Sequence, residues 1–586
     1  MNNLNTEWQL DKYFYSGITD KKLESDLNLF KSKSNKFLEK YNLNSLVSLS
    51  KEDFLIFLEE EDELTKEINK IFVFLSLTQS LDTQNQEVQK IISKMEKIYS
   101  EFSEKFLFIN EAYKQMGYES IISMSNMEMF FSFKNSLIRI ANDLKHMLEE
   151  NQEKVYIKLT NASSSGLREE FITSLEFEVD GKQMTEDEIR ALRKSPNREI
   201  RQKAFESLAK VYNTKQNQIV LGNLYSTVCK ESVANMELRN FKTVMSARNS
   251  SEEVSDEAVN TLLENNSYEL YHKFLDIKAK ILNIEKMNIF DVFAPITTEK
   301  SEEKFLFEDG WKLYCDTISQ VDPSLLTFSQ DMLEGGRISV FPKKGKSNGA
   351  YAQYSKFLPE FILLNWANTT KDVTTLAHEL GHAFHGRLAR KQKDCVFHAP
   401  LTLAETASIF NETLMFETLL DSINDKEQKR ILICERLNDI FATISRQISY
   451  VSFEKKCHES FAKNEPLTYE DYNRMWLDET KKLFGDNILI DSKVVEYGWS
   501  SIPHIFETPF YCYTYAFGNI ISLNLYQNYK NSINKEEFIE KYHRLLAAGG
   551  SDTPENLLNS IFNIKFDNNF YKIAYENIEN LIKQLE

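Results

Sequence analysis

The chain of 586 residues carries 88 aspartates and glutamates against 70 lysines and arginines, a formal charge of −18 at neutral pH. A surface of that sign repels a phosphate backbone, which excludes nucleic acid as an expected partner and leaves solubility as the plain use of the charge. Seventeen glycines and 10 prolines are too few for a turn-rich β architecture, whereas the abundance of Leu, Lys, Glu, Ile and Phe favours a mainly α fold of long helices.

The opening Met1-Asn-Asn-Leu-Asn-Thr-Glu-Trp is polar and has no apolar leader, so no secretory signal is expected. From about Asp20 to Glu150 apolar residues recur at helical spacing between short polar joints, as where Ser50-Lys-Glu-Asp leads into Phe54, Leu55, Phe57 and Leu58. The most apolar stretch, Ile71 to Leu81, is shorter than the roughly 20 residues of a membrane span and is interrupted by Ser76, Thr78, Gln79 and Ser80. No membrane segment is predicted. Six scattered cysteines form no C-x-x-C pair, so they read neither as a disulfide framework nor as a thiolate zinc site, and a cytoplasmic compartment is expected.

Asn161-Ala-Ser-Ser-Ser-Gly has loop composition, and Leu175-Glu-Phe-Glu-Val alternates up to an Asp180-Gly181 turn, after which Thr185-Glu-Asp-Glu reads as a capping box. This break divides the chain into an N-terminal helical domain, residues 1–185, and a second domain, residues 186–586, that carries the chemistry. Helical periodicity returns over Asn197 to Asn240 and Ser255 to Leu282. Arg337-Ile-Ser-Val-Phe-Pro and Phe361-Ile-Leu-Leu-Asn-Trp have strand character on either side of Lys343-Lys-Gly-Lys-Ser-Asn-Gly-Ala-Tyr, which predicts a small sheet within residues 335–366. An edge strand there can hold an extended peptide through main-chain hydrogen bonds; an ordinary packing sheet with a loop is the plainer alternative.

Residues 376–386, Leu-Ala-His-Glu-Leu-Gly-His-Ala-Phe-His-Gly, contain a His-Glu-x-x-His pentapeptide. On a helix the i and i+4 histidines, His378 and His382, share one face with Cβ atoms about 5–6 Å apart, close enough to grip one ion. Glu379 falls beside that ion, where a carboxylate serves as general base of a zinc peptidase. A catalytic zinc takes a third protein ligand, and His385, His398, Glu405 and Glu412 are the nearby candidates. His385 lies a further turn along, awkward for a tetrahedral site, and His398 reads as an ordinary surface or core histidine. Residues 399–422 form a second helical pattern in which Glu405, Ser408 and Glu412 share a face among Leu401, Leu403, Ala404, Ile409 and Phe410, surroundings in which an unpaired carboxylate is costly. Glu405 is the predicted third ligand, with Glu412 a candidate to orient a ligating histidine.

His378-Glu-Leu-Gly-His-Ala-Phe-His together with Glu405-Thr-Ala-Ser-Ile-Phe-Asn-Glu resembles the thimet-oligopeptidase-like family of zinc peptidases, in particular its bacterial oligoendopeptidase F branch. Trp8-Gln-Leu-Asp, Asn197-Arg-Glu-Ile-Arg-Gln-Lys-Ala-Phe, Lys346-Ser-Asn-Gly-Ala-Tyr and Ala548-Gly-Gly-Ser-Asp-Thr-Pro extend the resemblance over nearly the whole chain. It implies a zincin-like helical metallopeptidase with a small β-sheet beside the metal helix, one Zn2+ per chain, and a deep channel between helical lobes that admits short unstructured peptides. It also agrees on Glu405 as ligand and Glu379 as base. By itself, His504-Ile-Phe-Glu-Thr-Pro-Phe-Tyr-Cys-Tyr-Thr-Tyr reads as an aromatic helix start at Thr508-Pro509, with Tyr511 and Tyr515 on one face. The resemblance makes His504, Tyr515 and Tyr511 catalytic candidates that face the zinc and support the oxyanion. Two rival readings are a zinc exopeptidase and, from another class, an inactive helical peptide-binding protein.

Overall fold

Helix starts in this chain are written by side chains that satisfy the first free amide groups. Asp20, Ser50, Asn197 and Ser255 each accept a backbone N–H at the head of the helices Lys21–Lys40, Lys51–Asp62, Arg198–Tyr212 and Asp256–Glu264. These belong to a computed structural model that describes residues 4–161, 166–296 and 305–586. Most of the expected loop Asn161-Ala-Ser-Ser-Ser-Gly lies outside the described residues, as does Met1-Asn-Asn. The molecule is predominantly helical, and among the described residues no helix is long and apolar enough to cross a membrane.

The predicted turn at 180–181 is present. Strands β1 (Phe177–Val179) and β2 (Lys182–Met184) pair antiparallel around Asp180 and Gly181, both at positive φ (53° and 79°). Those signs suit a tight hairpin turn, where Asp and Gly tolerate the left-handed region. Thr185 and Glu188 then close the predicted capping box.

A second sheet contains β3 (Ile338–Ser339), β4 (Tyr351–Ser355) and β5 (Leu358–Leu363) in the order β3-β5-β4. The segments expected as strands are β3 and β5, which pair in parallel; β4, at the edge and antiparallel to β5, was not singled out from the sequence. Its residues Tyr-Ala-Gln-Tyr-Ser are all half-buried, so no alternation marks them. Strand β5 separates two bodies of apolar packing. Phe361 and Leu363 join Trp8, Phe14, Phe30 and Phe74 on one face, while Ile362 joins the largest core, which includes the residues that seat the metal helix. Period-two alternation thus reads as a continuous apolar run because both faces are covered. A further cluster, including Phe37, Phe57, Ile121 and Leu137, holds the N-terminal helices together.

Polar staples position this sheet. The Trp8 indole donates to the carbonyls of Arg337 and Ile362, at 3.1 and 2.9 Å. Buried Lys346 donates to the carbonyls of Phe341 (2.8 Å) and Leu364 (2.5 Å), pinning the loop between β3 and β4. Glu360 on β5 is fully buried between Arg390 (2.7 Å) and Arg337 (3.3 Å), and Arg390 follows directly on the helix Thr370–Ala389. Removing one member would strand a buried charge at a cost of about 3–5 kcal/mol, so this cluster fixes the helix against the sheet.

Candidate metal centre

The metal helix runs from Thr370 to Ala389, opened by a capping box between Thr369 and Asp372. Val373, Leu376, Ala377, Leu380, Ala383 and Phe384 are buried along it, so the opposite face presents His378 and His382. A partner helix, Thr406–Ser422, packs against it, and Gly381, between the two histidines, makes the approach possible. A Cβ at Gly381 would stand 2.5 Å from the Ala407 carbonyl oxygen, which no side chain can tolerate.

The continuous helix expected over 399–422 is broken at the predicted ligand. A helical turn Leu401–Ala404 ends at Glu405 (φ −85°, ψ 0°), and the partner helix begins at Thr406. The Glu405 carbonyl accepts from Ile409 N–H at 3.1 Å and from the Ser522 hydroxyl at 3.4 Å. Gly518, on the helix Tyr513–Asn531, leaves room for the Glu405 stem, since a Cβ there would meet Glu405 Cβ at 3.1 Å. Packing from a segment more than 100 residues away therefore sets the bend that aims this carboxylate.

Glu405 Oε2 lies 3.2 Å from His382 Nε2 and 3.5 Å from His378 Nε2, and one ligand atom from each of the three residues falls within 4.8 Å of the others. A tetrahedral ion with arms of about 2.0–2.1 Å sets donor separations near about 3.3 Å, so this donor set fits zinc. The other ring nitrogen of His378 faces Glu412 Oε2 at 3.0 Å, and Arg436 binds Glu412 Oε1 while donating to Thr413 Oγ1 at 2.9 Å. Glu412 thereby directs His378 Nε2 toward the ion position. Ser408 Oγ donates to Glu405 Oε2 at 2.7 Å. Replacing Glu412 with Gln is expected to weaken zinc affinity about 10- to 100-fold, read by competition with a metal-sensitive dye; unchanged affinity would remove its orienting role.

The charges at this centre favour a cation. Burial raises the Glu405 carboxyl, but hydrogen bonding from His382 and the charges of both histidines outweigh it and bring the group down to about 2. Glu412 is likewise held at about 2, against burial, chiefly by Arg436 and His378. Burial opposes protonation of His378, yet Glu412 and Glu405 push its pKa up to about 9, a measure of the negative potential at the ring. Glu379, next along the helix, is buried, and desolvation raises its carboxyl above the ordinary range despite both histidines and an N–H from Ala352 on β4. A base raised in that direction is better matched to neutral pH.

The remaining sequence candidates sort by position. His385 is buried, which drives its pKa down to about 4, and it stands outside the three-residue group. His398 packs on Phe397 and on Tyr354 of β4 (ring centroids 4.6 and 5.5 Å), also outside that group.

The His504 segment is brought together, with different local structure from that expected. His504 sits in a short helix, Pro503–Glu507, not on a loop, and the next helix starts at Tyr513 instead of at Thr508-Pro509, so Tyr511 lies in the intervening turn. The cause is Phe510 at φ 63°, whose N–H donates to buried Glu454 Oε1 at 2.8 Å, forcing a turn where Pro509 would otherwise lead into a helix. The three rings still meet: His504 stacks on Tyr511 at 6.0 Å, and Tyr515 lies edge-on to Tyr511 at 5.2 Å and to His504 at 6.1 Å. Burial first, then Tyr511 and Glu405, raise the Tyr515 hydroxyl, keeping it a proton donor at neutral pH. Tyr513 is wholly buried against Phe517.

Three contributors escaped sequence reading. Arg436 and Glu454 come from helices Lys426–Thr443 and Ser445–Ala462, where no local signal marks them. Tyr354 lies on the unrecognised strand β4, and burial, with the charges of Glu405 and Glu379, pushes its hydroxyl to about 12.

The chain is similar to known proteins over most of its length. Oligoendopeptidase F homolog of Lactococcus lactis subsp. lactis is 26% identical over 582 residues, covering 97% of this chain and 95% of that protein. Oligopeptidase PepF of Bacillus subtilis is 26% identical over 520 residues, covering 85% and 75%. Among solved structures, a putative peptidase from Chlamydophila abortus superposes with a TM-score of 0.84 at 22% identity over 99% of this chain and 98% of its own. Oligoendopeptidase-F from Enterococcus faecium gives 0.71 at 19% identity over 96% and 98%. Residues 191–568, which carry the two histidines, Glu405 and the tyrosine segment, match the model of Peptidase family M3; the chain belongs to that family and is a peptidase.

Proposed function

We propose that the protein is a zinc-dependent metalloendopeptidase that cleaves internal bonds of short, unstructured oligopeptides. The observation that carries this reading is the convergence of His378 Nε2, His382 Nε2 and Glu405 Oε2, with Glu379 adjacent on the same helix. The names of the Lactococcus and Bacillus relatives point to the same substrates. His378, His382 and Glu405 would hold zinc, which would supply a Lewis acid for the scissile carbonyl and the attacking water. Glu379 takes the proton of that water and returns it to the departing amine. Tyr515 or His504 donates to the developing oxyanion. Edge strand β4, which packs against the helix Thr370–Ala389, gives an extended substrate a main-chain partner beside the reacting bond.

Incubation with peptides of defined sequence, followed by mass spectrometry, tests the proposal. Peptides of roughly 6–20 residues should be cut internally, a native globular protein should survive, and a chelator should abolish cleavage until zinc is restored, as a buried, pre-formed site requires. Release of terminal residues alone would make the protein an exopeptidase. Chelator-insensitive cleavage, or none, would sink the metal mechanism.

A further inference from the structure

A cavity of about 440 Å³ borders His504 and is lined by Arg190, Arg193, Lys194 and Arg446 without a single Asp or Glu. In a chain with 18 more acidic than basic side chains that composition stands out. A neighbouring cavity of about 380 Å³, of mixed charge with Glu412, Glu435 and Asp439 facing Lys371 and Arg436, reaches Thr374 on the metal helix, and the two share Lys194, Phe293 and Arg446. The shared residues put a basic junction between the tyrosine segment and the edge of the metal centre.

Three of these four cations lack the carboxylate partners that neutralise others among the described residues. Arg190 is bound to Glu186, with Nε 2.9 Å from Oε1. Arg193, Lys194 and Arg446 form no ion pair with a carboxylate among the described residues. The Arg193 guanidinium is instead sandwiched between Phe205 (4.3 Å) and Phe293 (4.4 Å), its buried Nε has no hydrogen-bond partner, and Arg446 lies over Phe293 at 5.2 Å. Burial lowers the Arg193 pKa to about 10, which leaves the group charged at neutral pH. Aromatic faces hold a guanidinium in place without consuming its directional donors, so little ordering is required when a planar anion arrives. The cavity that borders His504 carries charges of one sign, which concentrates ligands of the other sign there.

We infer that the junction of Arg193, Lys194 and Arg446 is a substrate subsite for a carboxylate carried by the peptide, either its free C-terminus or an Asp or Glu side chain. This rests on the reading of the protein as a peptidase that works at the metal centre, and extends it to substrate choice.

Two matched peptide series test it: one exchanges Glu for Gln at each position in turn, the other compares the free acid with the C-terminal amide. One carboxylate position should raise kcat/KM about tenfold over its neutral counterpart, mainly through KM, as a desolvated charge-assisted pair allows. The series in which the preference occurs identifies the source. In Arg446→Gln the acid-to-neutral ratio should fall toward one, and Lys194→Gln, at an exposed side chain, should lower it in the same direction and decides the matter if the arginine variant does not fold. Equal cleavage of acid and neutral peptides by the wild type, or an unchanged ratio in both variants, overturns the inference while leaving the peptidase intact. If the zinc-loaded wild type cuts none of the peptides, the peptidase reading fails on its own. Anisotropy of labelled acid and neutral peptides then decides the subsite: preferential binding of the acid supports it, and equal binding overturns it.

Discussion

Replacing Glu379 with Gln is expected to lower kcat for peptide hydrolysis by about 10³-fold while leaving one zinc per chain, because a positioned acid–base group contributes about 10²–10⁴-fold. Gln has nearly the same shape, so the packing of the helix on strand β4 should persist. It cannot accept the proton of the attacking water or return one to the amine. The side chain is buried beside the ligands yet is not one of the three that converge, which is why metal content and turnover should separate. Steady-state kinetics and metal analysis on the same sample provide the check. Near-wild-type turnover would reject Glu379 as the base.

Replacing Glu405 with Ala should produce the opposite pattern: loss of zinc, and with it of turnover. Structural zinc sites bind with about 10–16 kcal/mol, so one of three protein ligands carries about 3–5 kcal/mol, a loss of more than about a hundredfold in affinity. The substitution also removes the carboxylate that lies 3.2 and 3.5 Å from the two Nε2 atoms, and leaves Ser408 with the residue 405 carbonyl as its acceptor. The fold should tolerate it, because the smaller side chain still fits beside Gly518 and the bend depends on the Glu405 carbonyl, which remains. Equilibration against a zinc buffer, followed by metal counting, reads the result. Full occupancy would show that Glu405 does not hold the ion.

What was legible in advance was local. The i and i+4 histidines, the Thr185 capping box and the Asp180-Gly181 turn each depend on a few consecutive residues, and each is present. Helical spacing alone put His378, Glu379 and His382 in their relation to one another. Glu405 was within reach because its apolar surroundings make an unpaired carboxylate costly, an argument about energy that does not require knowing the path of the chain.

Tertiary packing decided the rest. The helix breaks at Glu405 because Gly518 and Ser522 arrive from a distant helix. His378 is oriented by Glu412, which in turn depends on Arg436 from another helix. Tyr511 lies in a turn and not a helix because a buried glutamate, Glu454, captures the Phe510 amide at positive φ. Strand β4 exists through pairing with β5 and has no pattern of its own. The sequence by itself determined the spacing of the candidate metal-binding pair and of Glu379 beside it, since a helix of fixed pitch spaces neighbours without help. Only the tertiary structure could decide how the third ligand, its supports and the basic junction meet, since those positions follow from close approaches between segments that no local periodicity encodes.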